Sequence, residues 1–233
     1  MICFVDYRTT QIEINSLKNL GYEVLKVPKS EELYDAINGH VDIQLNILDK
    51  NNKTIIINKN ITNSFKEILN SKKIKFIESD STLSSKYPEN IPLNAYITDN
   101  YLIHNLKYTD KKILDYCKNK NNINIKQGYA KCSILPIKEN VFITNDNGIY
   151  NKLKDESFDI LLVPFGDIEL PGFNYGFIGG VGGMISDDCI AFFGSLENYS
   201  FGNEVKKFLY KHDIKPIYLS NTKLIDRGSL MVL

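Results

Sequence analysis

One cysteine near the middle of the chain is the residue best suited to chemistry. Cys132 lies in the segment Lys126–Ile137, which begins with small and polar residues and ends in an apolar run. Gly128, just before it, allows the backbone to pass close to a neighbouring group. A cysteine attacks as its thiolate, so a nearby cation must lower its pKa. The segment predicts a short strand that presents a nucleophilic thiol, with an inert buried thiol as the alternative.

Other patterns that would indicate a metal or a nucleotide cofactor are missing from the sequence. Cys3, Cys117 and Cys189 are far apart and form no CxxC pair, which argues against a disulfide framework or a zinc site. The glycine-rich stretch Gly179–Gly183 lacks the Gly-Lys-Ser/Thr of a phosphate loop. We therefore expect no metal and no cofactor, and interpret this stretch as a strand packed closely against backbone or ligand.

The composition is that of an ordinary globular protein. The 233 residues are 43% hydrophobic and 24% charged, with 28 basic and 28 acidic residues and no basic stripe, so nucleic acid is not an expected partner. No apolar run approaches the roughly 20 residues that span a bilayer. The apolar start, Met1–Asp6, is too short for a signal peptide. These features predict a cytoplasmic protein that binds no membrane, and they leave the oligomeric state open.

The elements that must position Cys132 recur along the chain. A pattern of strand, strand, helix and strand repeats about every 45 residues. In the first unit, His40–Leu48 alternates between apolar and polar residues, as a half-buried strand does. The corresponding first strands of the next three units are predicted at Leu93–Ile97, Gly128–Ile137 and Phe177–Ile185.

The two ends of the chain supply a fifth unit. Arg227–Leu233 is predicted as its first strand and Met1–Asp6 as its second, followed by a helix near Ile12–Leu20 and a third strand at Tyr22–Val27. The repeat thus closes on itself across the termini. This predicts an α/β fold of five ββαβ units in a closed ring, a single domain over residues 1–233, and adjacent termini.

Five such units resemble the pentein, or α/β propeller, fold of the guanidine-modifying enzymes, which include arginine deiminase, agmatine deiminase and dimethylarginine hydrolase. The chain is most similar to a bacterial group of that fold, through the phrases Gln127–Ser133, Gly176–Gly180 and Asp226–Ser229. The same fold also includes a ribosome anti-association factor that is not an enzyme. The fold alone therefore does not decide the function.

The resemblance implies roles for three residues. In the catalytic members a cysteine attacks the guanidinium carbon, a histidine of an H-x-D phrase acts as acid and base, and carboxylates hold the guanidinium. Gly39–Asp42 matches that phrase, which implies that His40 is the acid and base and Asp42 a carboxylate beside the nucleophile Cys132. The usual cysteine position, in the C-terminal strand, is occupied here by Ser229–Met231. The catalytic pair is thus either shifted round the ring or lost.

Four further residues are predicted to bind substrate. The guanidinium of Arg227, one of only two arginines with Arg8, suits a substrate carboxylate. Asp226 and Ser229 flank it at the start of the same strand, and Asn94 lies at the start of the strand of unit two.

The favoured hypothesis is a cysteine-dependent hydrolase or transferase, similar to an amidinohydrolase or deiminase, that acts on a guanidine-like small molecule in a central channel. One alternative is a catalytically inactive pentein that binds a small ligand or a protein partner. Another is an α/β domain without a closed repeat, whose termini would be far apart. The first two differ in the distance between Cys132 and His40, which must be short for catalysis.

Overall fold

The computed structural model describes residues 1–233 and contains five small β-sheets of three strands each, together with seven short α-helices. In chain order the elements are β1 (Ile2–Asp6), α1 (Gln11–Asn19), β2 (Glu23–Val27), α2 (Val41–Gln44), β3 (Leu45–Asp49), β4 (Thr54–Ile57), α3 (Asn63–Ser71), β5 (Lys75–Glu78), β6 (Tyr96–Ile97), β7 (Tyr101–His104), α4 (Lys111–Tyr116), β8 (Asn121–Asn124), α5 (Ala130–Ser133), β9 (Ile134–Lys138), β10 (Val141–Thr144), α6 (Asn147–Leu153), β11 (Asp159–Leu162), β12 (Gly182–Met184), β13 (Cys189–Phe192), α7 (Gly202–Lys211), β14 (Lys215–Tyr218) and β15 (Met231–Val232).

All five sheets share one topology. The middle strand pairs antiparallel with the first strand and parallel with the third, and a helix connects the middle strand to the third. The sheets are β3-β4-β5, β6-β7-β8, β9-β10-β11, β12-β13-β14 and β15-β1-β2. The α/β architecture of ββαβ units predicted from the repeat is confirmed.

The middle strands are apolar on both faces because each face packs in a different core. In β4, Ile55 and Ile57 pack in one cluster with Phe4 of β1, whereas Ile56 packs in another with Leu102 of β7. Successive side chains of a strand point to opposite faces, so neighbouring residues serve neighbouring cores. The remaining clusters join middle strands in the same way, through Ile103 with Phe142 for β7 and β10, Ile143 with Phe192 for β10 and β13, and Ala191 with Cys3 for β13 and β1.

The two termini lie side by side in one sheet. Strand β15 pairs antiparallel with β1, and Cys3 is opposite Val232. The backbone amide of Ile2 donates to the carbonyl of Leu233 at 2.8 Å, and the amide of Leu233 donates back at 2.9 Å. The predicted adjacency of the termini is confirmed.

The first strands are shorter than predicted, and this is a correction. Residues 41–44, placed in the strand His40–Leu48, form the turn of helix α2, and β3 begins only at Leu45. The turn is fixed because the Asp42 amide donates to the Gly228 carbonyl and the Gln44 side chain donates to two backbone carbonyls. The other predicted first strands likewise reduce to β6, β9, β12 and β15, with α5 before β9 and a 3₁₀ turn, Ile178–Gly180, before β12.

Helices α1, α4 and α6 start at a polar side-chain cap, and each buries apolar side chains. In α1, Thr10 and Glu13 form a capping box, and Leu17 is fully buried. The carboxylates of Asp110 and Asp146 accept backbone amides at the starts of α4 and α6. None of the helices is both long enough and apolar enough to cross a bilayer.

Candidate active site

The chemistry-bearing side chains meet where the five first strands begin. Two or three positions before each strand lies one residue of this centre: Asp42 before β3, Asn94 before β6, Cys132 before β9, Gly180 before β12 and Ser229 before β15. We call the group of Cys132, Asp42, His40, Asn94, Lys131, Ser229 and Asp226 the thiol cluster. All seven residues are buried.

The thiol of Cys132 contacts a carboxylate and an amide. Its Sγ lies 3.2 Å from both carboxylate oxygens of Asp42, to which the thiol donates. The side-chain amide of Asn94 donates to Sγ at 3.1 Å, while its Oδ1 accepts the backbone amides of Lys131 and Cys132. Burial and the negative charge of Asp42 raise the pKa of Cys132 well above its usual value, so the resting sulfur is a thiol.

His40 lies beside this thiol with both ring nitrogens free. Its nearest nitrogen, a carboxylate oxygen of Asp42 and Sγ of Cys132 all lie within 4.8 Å of one another. Neither nitrogen has a hydrogen-bond partner, and Nε2 is 3.8 Å from Oδ1 of Asp226. Burial lowers the pKa of His40, which leaves a neutral imidazole able to accept a proton.

Asp226 is held behind this histidine by backbone amides. Its carboxylate accepts the amides of Phe177 at 2.8 Å and Gly228 at 2.9 Å. Burial raises the pKa of Asp226 to about 6. Glycines at 176 and 180 make room for it, because a Cβ on Gly180 would overlap the Asp226 carboxylate. The carboxylate therefore lies close to the imidazole without a hydrogen bond to it.

Sequence reasoning missed Lys131, which is 7% exposed and belongs to the cluster. Its ammonium donates to Oγ of Ser229 at 2.9 Å, and Ser229 lies 2.7 Å from Oδ2 of Asp42. Ser229 adopts a left-handed backbone conformation (φ 71°), which is uncommon for a residue with a side chain and places Oγ between the charged groups. The only sequence signal was a lysine next to the candidate nucleophile.

The structure places both arginines outside this cluster. The guanidinium of Arg227 pairs with Glu13 at 3.2 Å and donates to the carbonyl of Arg8. Arg8 in turn pairs with Asp6. The predicted substrate contact of Arg227 therefore has no counterpart among the groups around Cys132, whereas His40, Asp42, Asn94, Asp226 and Ser229 are all brought together there.

Aromatic side chains close the cluster on the side away from the strands. Tyr129 stacks on Phe177 with ring centroids 6.0 Å apart, and both pack on an apolar group that includes Cys132. Tyr34 meets Phe173 of the long connection 165–176 at 5.7 Å. We call Tyr34, Tyr129, Phe173 and Phe177 the aromatic cover. Cys132 is only 2% exposed beneath it.

The donor set of His40, Asp42 and Cys132 combines imidazole, carboxylate and thiol, which are the ligand types of zinc sites. The same three groups also suit a planar cation, since a carboxylate accepts paired N–H donors and a thiol can attack the central carbon. The neighbouring ammonium of Lys131 opposes a divalent ion more strongly than a monovalent one. The cluster is thus better matched to an organic cation than to a metal.

A cavity of about 700 Å³ runs along the first strands on the other side of the cluster. All five first strands line it, and its outer residues, among them Asp49, Lys138 and Asp187, lie at or just beyond the far ends of these strands. Of the thiol cluster, Lys131 alone lines this cavity. No residue of the aromatic cover lines this cavity.

Comparison with known proteins places this architecture among the penteins. The amidinotransferase SxtG from Microseira wollei superposes with a TM-score of 0.59 at 10% identity, over 97% of this chain and 89% of that one. Inosamine-phosphate amidinotransferase StrB1 from Streptomyces griseus gives 0.56 at 13% identity, over 93% and 74%. The dimethylarginine dimethylaminohydrolase of Pseudomonas aeruginosa, with citrulline bound, gives 0.54 at 8% identity, over 94% and 92%. The pentein fold predicted from the sequence is confirmed.

One protein family matches nearly the whole chain. Its description is "Family of unknown function (DUF6873)", and the match covers residues 4–231. The chain therefore belongs to this family. No curated protein matches the sequence significantly.

Proposed function

We propose that this protein is a cysteine-dependent enzyme that modifies a guanidine-like small molecule, as a hydrolase or as an amidino-group transferase. The observation that carries the proposal is the meeting of Cys132, His40 and Asp42 within 4.8 Å at the centre of a pentein fold. The superposed proteins are an amidinotransferase acting in saxitoxin biosynthesis, a second amidinotransferase and a dimethylarginine dimethylaminohydrolase, which supports this class of substrate.

The proposal includes a closed ring of five units around this centre. Its support is the sequence of shared cores, which runs from β1 through β4, β7, β10 and β13 and returns to β1. The five first strands then face one axis, which agrees with their lining a single cavity. In this arrangement the substrate lies at the thiol cluster, where the five first strands begin.

Charge balance in the cluster favours a cationic substrate. The Asp42 carboxylate, which the resting thiol contacts, would pair with the N–H groups of a guanidinium and hold its carbon near Sγ. A bound cation also stabilises the thiolate, which burial and the negative charge of Asp42 otherwise disfavour. Substrate binding itself would therefore generate the nucleophile.

The proposed reaction then needs one proton carrier. As the bond between Sγ and the guanidinium carbon forms, the thiol proton passes to the neutral imidazole of His40. The tetrahedral carbon expels one nitrogen as an amine, which leaves with that proton. Water, in a hydrolase, or a second amine, in a transferase, then attacks the same carbon and gives a proton to His40. The C–S bond breaks, and the sulfur takes that proton back from His40, which restores the thiol and the neutral imidazole. Asp226 would orient the imidazole through this cycle.

The test is turnover of L-arginine, agmatine and dimethylarginine, with mass spectrometry of the protein during the reaction. We expect amine release and a covalent adduct on Cys132, both abolished in Cys132→Ala and retained in the matched control Cys189→Ala, whose thiol lies outside the cluster.

Absence of both turnover and adduct across the three substrates would overturn the enzymatic proposal. Saturable binding without turnover would instead support the alternative of an inactive pentein that binds a small ligand, which the enclosed, high-pKa thiol favours.

A further inference from the structure

Lys131 is a buried cation whose hydrogen-bonding capacity the protein does not fill. An ammonium carries three donors, yet the only acceptor for Nζ is Oγ of Ser229, and no salt bridge includes this lysine. Burial lowers the pKa of Lys131 although Asp42 lies nearby, linked to the ammonium through Ser229 rather than by direct contact. Buried charges are normally paired, so the unfilled donors indicate a missing acceptor.

The space next to this ammonium is the 700 Å³ cavity, and its walls are apolar. Lys131 lies in α5, three residues before the start of β9, and Lys138 ends that strand, so Lys131 lies at the inner end of the cavity. The walls between the two ends are largely apolar and include Ile97, Pro136, Met184, Leu230 and Met231. The volume falls within the range of small-molecule sites, which combine apolar walls with a few placed polar groups.

The outer end of the cavity is charged and open. Four exposed charged residues lie there and form no salt bridge with one another: Lys50, Asp99, Lys138 and Asp187. A polar group of a ligand at this end would therefore meet solvated charged side chains. The cavity thus has an ammonium with free N–H donors at its inner end, apolar walls along its length and charged side chains of both signs at its outer end. These features fit a molecule with one anionic end and an aliphatic chain.

We propose that this cavity is a second binding site, separate from the reacting centre, for a small aliphatic carboxylate whose carboxylate contacts Lys131. The carboxylate would accept the ammonium's free N–H donors, the chain would cover the apolar wall, and a polar far end would reach the mouth. A neutral molecule of the same shape leaves the ammonium unpaired and binds less well. The site does not require the thiol to react.

The three methionines of the chain, Met1, Met184 and Met231, all line this cavity, so each methyl group is a probe of it. We would label these methyls with ¹³C and titrate the full-length protein with hexanoate, with hexan-1-ol as the neutral probe. Hexanoate should shift the Met184 and Met231 signals saturably, with an affinity about tenfold or more above that of hexan-1-ol.

Variants separate the lysine from its surroundings. Lys131→Gln should weaken hexanoate about tenfold or more and leave hexan-1-ol unchanged, whereas Lys138→Gln at the mouth should retain hexanoate binding. If Lys131→Gln does not fold, Ile97→Trp, which fills the passage without touching the ammonium, should abolish the shifts. Cys132→Ala should bind hexanoate normally, which makes this result independent of the proposed reaction. Equal affinity for the two probes, or no saturable shift, would overturn the proposal.

Discussion

The contact between Cys132 and Asp42 determines how the thiol behaves at rest. The Asp42 carboxylate, 3.2 Å from Sγ, accepts a hydrogen bond from the thiol and would repel a thiolate. Burial adds the free-energy cost of placing a charged thiolate away from water. The sulfur therefore rests as a protonated thiol in contact with its partners. This differs from a cysteine kept as a thiolate by a permanent cation.

Removing the charge of Asp42 should make Cys132 more reactive toward a neutral reagent. We expect Asp42→Asn to increase the rate of alkylation of Cys132 by iodoacetamide at pH 8 by about tenfold, because one repelling charge and one acceptor are lost. The measurement is peptide-level mass spectrometry over time. Cys117, buried outside the cluster, reports any general opening of the fold in the same sample. Equal rates at Cys132 in both proteins would contradict the assigned electrostatics.

Asp226 should make the stability of the protein depend on pH. Its folded-state pKa, about 6, lies above the usual 3.8, so its contribution to stability is complete below about pH 4 and is lost as the pH rises through 6. Relative to Asp226→Asn, the wild-type free energy of unfolding should increase by about 3 kcal/mol from pH 7 to pH 4. Urea unfolding at several pH values measures this difference. The exposed variant Asp187→Asn should follow the wild type, and a difference between wild type and Asp226→Asn that does not change with pH would refute the assignment.

Most residues of the thiol cluster could be predicted from the sequence, but the pairing of their charged groups could not. His40, Asp42 and Cys132 were chosen by residue type and by the H-x-D phrase, and the fold brings them together. Lys131 was missed because nothing in its neighbours along the chain reveals that Ser229, 98 positions away, holds its ammonium. Arg227 was assigned to a ligand because its partner Glu13 lies in another part of the sequence. Which charge faces which is a property of long-range contacts.

At the scale of elements, the approach to each first strand matters more than the strand. Helices α2 and α5 and the turn before β12 bend the chain, so that side chains two or three positions before the strand point to a common centre. The alternation of His40–Leu48 predicts one long strand, whereas the structure has a helical turn followed by a shorter strand. The pattern does not distinguish the two, because a turn whose polar side chains bind backbone groups also has polar residues at every second position. The close approach expected at Gly128 is confirmed, since a Cβ there would overlap Ile91 and Tyr87.

A side chain at Gly180 should damage the turn before β12. The added methyl of Gly180→Ala overlaps the Asp226 carboxylate, and we expect a loss of about 1 to 3 kcal/mol in the free energy of unfolding. Gly148→Ala is the control, because its methyl lies in helix α6 and approaches only the Asp146 side chain. Urea denaturation compares the two variants. A Gly180→Ala protein as stable as the control would show that the packing at this turn is looser than described.

At the scale of the whole molecule, the fold repeats one solution five times. Each middle strand packs in two cores, so both of its faces are buried. This produces an apolar run at each middle strand, and the spacing of these runs along the sequence made the architecture predictable. The fifth unit depends on contacts between the two chain ends, including the Arg227–Glu13 pair beside α1.

Breaking the Arg227–Glu13 pair should weaken this junction. Glu13 is 2% exposed, and Arg227→Met leaves its buried carboxylate without a charged partner, bound only by the amide and hydroxyl of Thr10. We expect this loss to cost about 3 to 5 kcal/mol. Lys206→Met, which breaks a surface pair with Glu197, should cost less than about 1 kcal/mol in the same denaturation experiment. A small loss of stability combined with an increased KM would instead support the substrate contact predicted from the sequence.

The pairing of β15 with β1 has a consequence for the order of folding during synthesis. Strand β1 is made before every other strand described here, but its antiparallel partner is made more than 220 residues later. Until then one edge of β1 exposes unpaired amides and carbonyls, which favours association with other chains. Four units can assemble as they emerge, whereas the fifth can only close after synthesis reaches Val232. Interrupted translation would therefore release chains in which four sheets can form and β1 has an unpaired edge that favours aggregation.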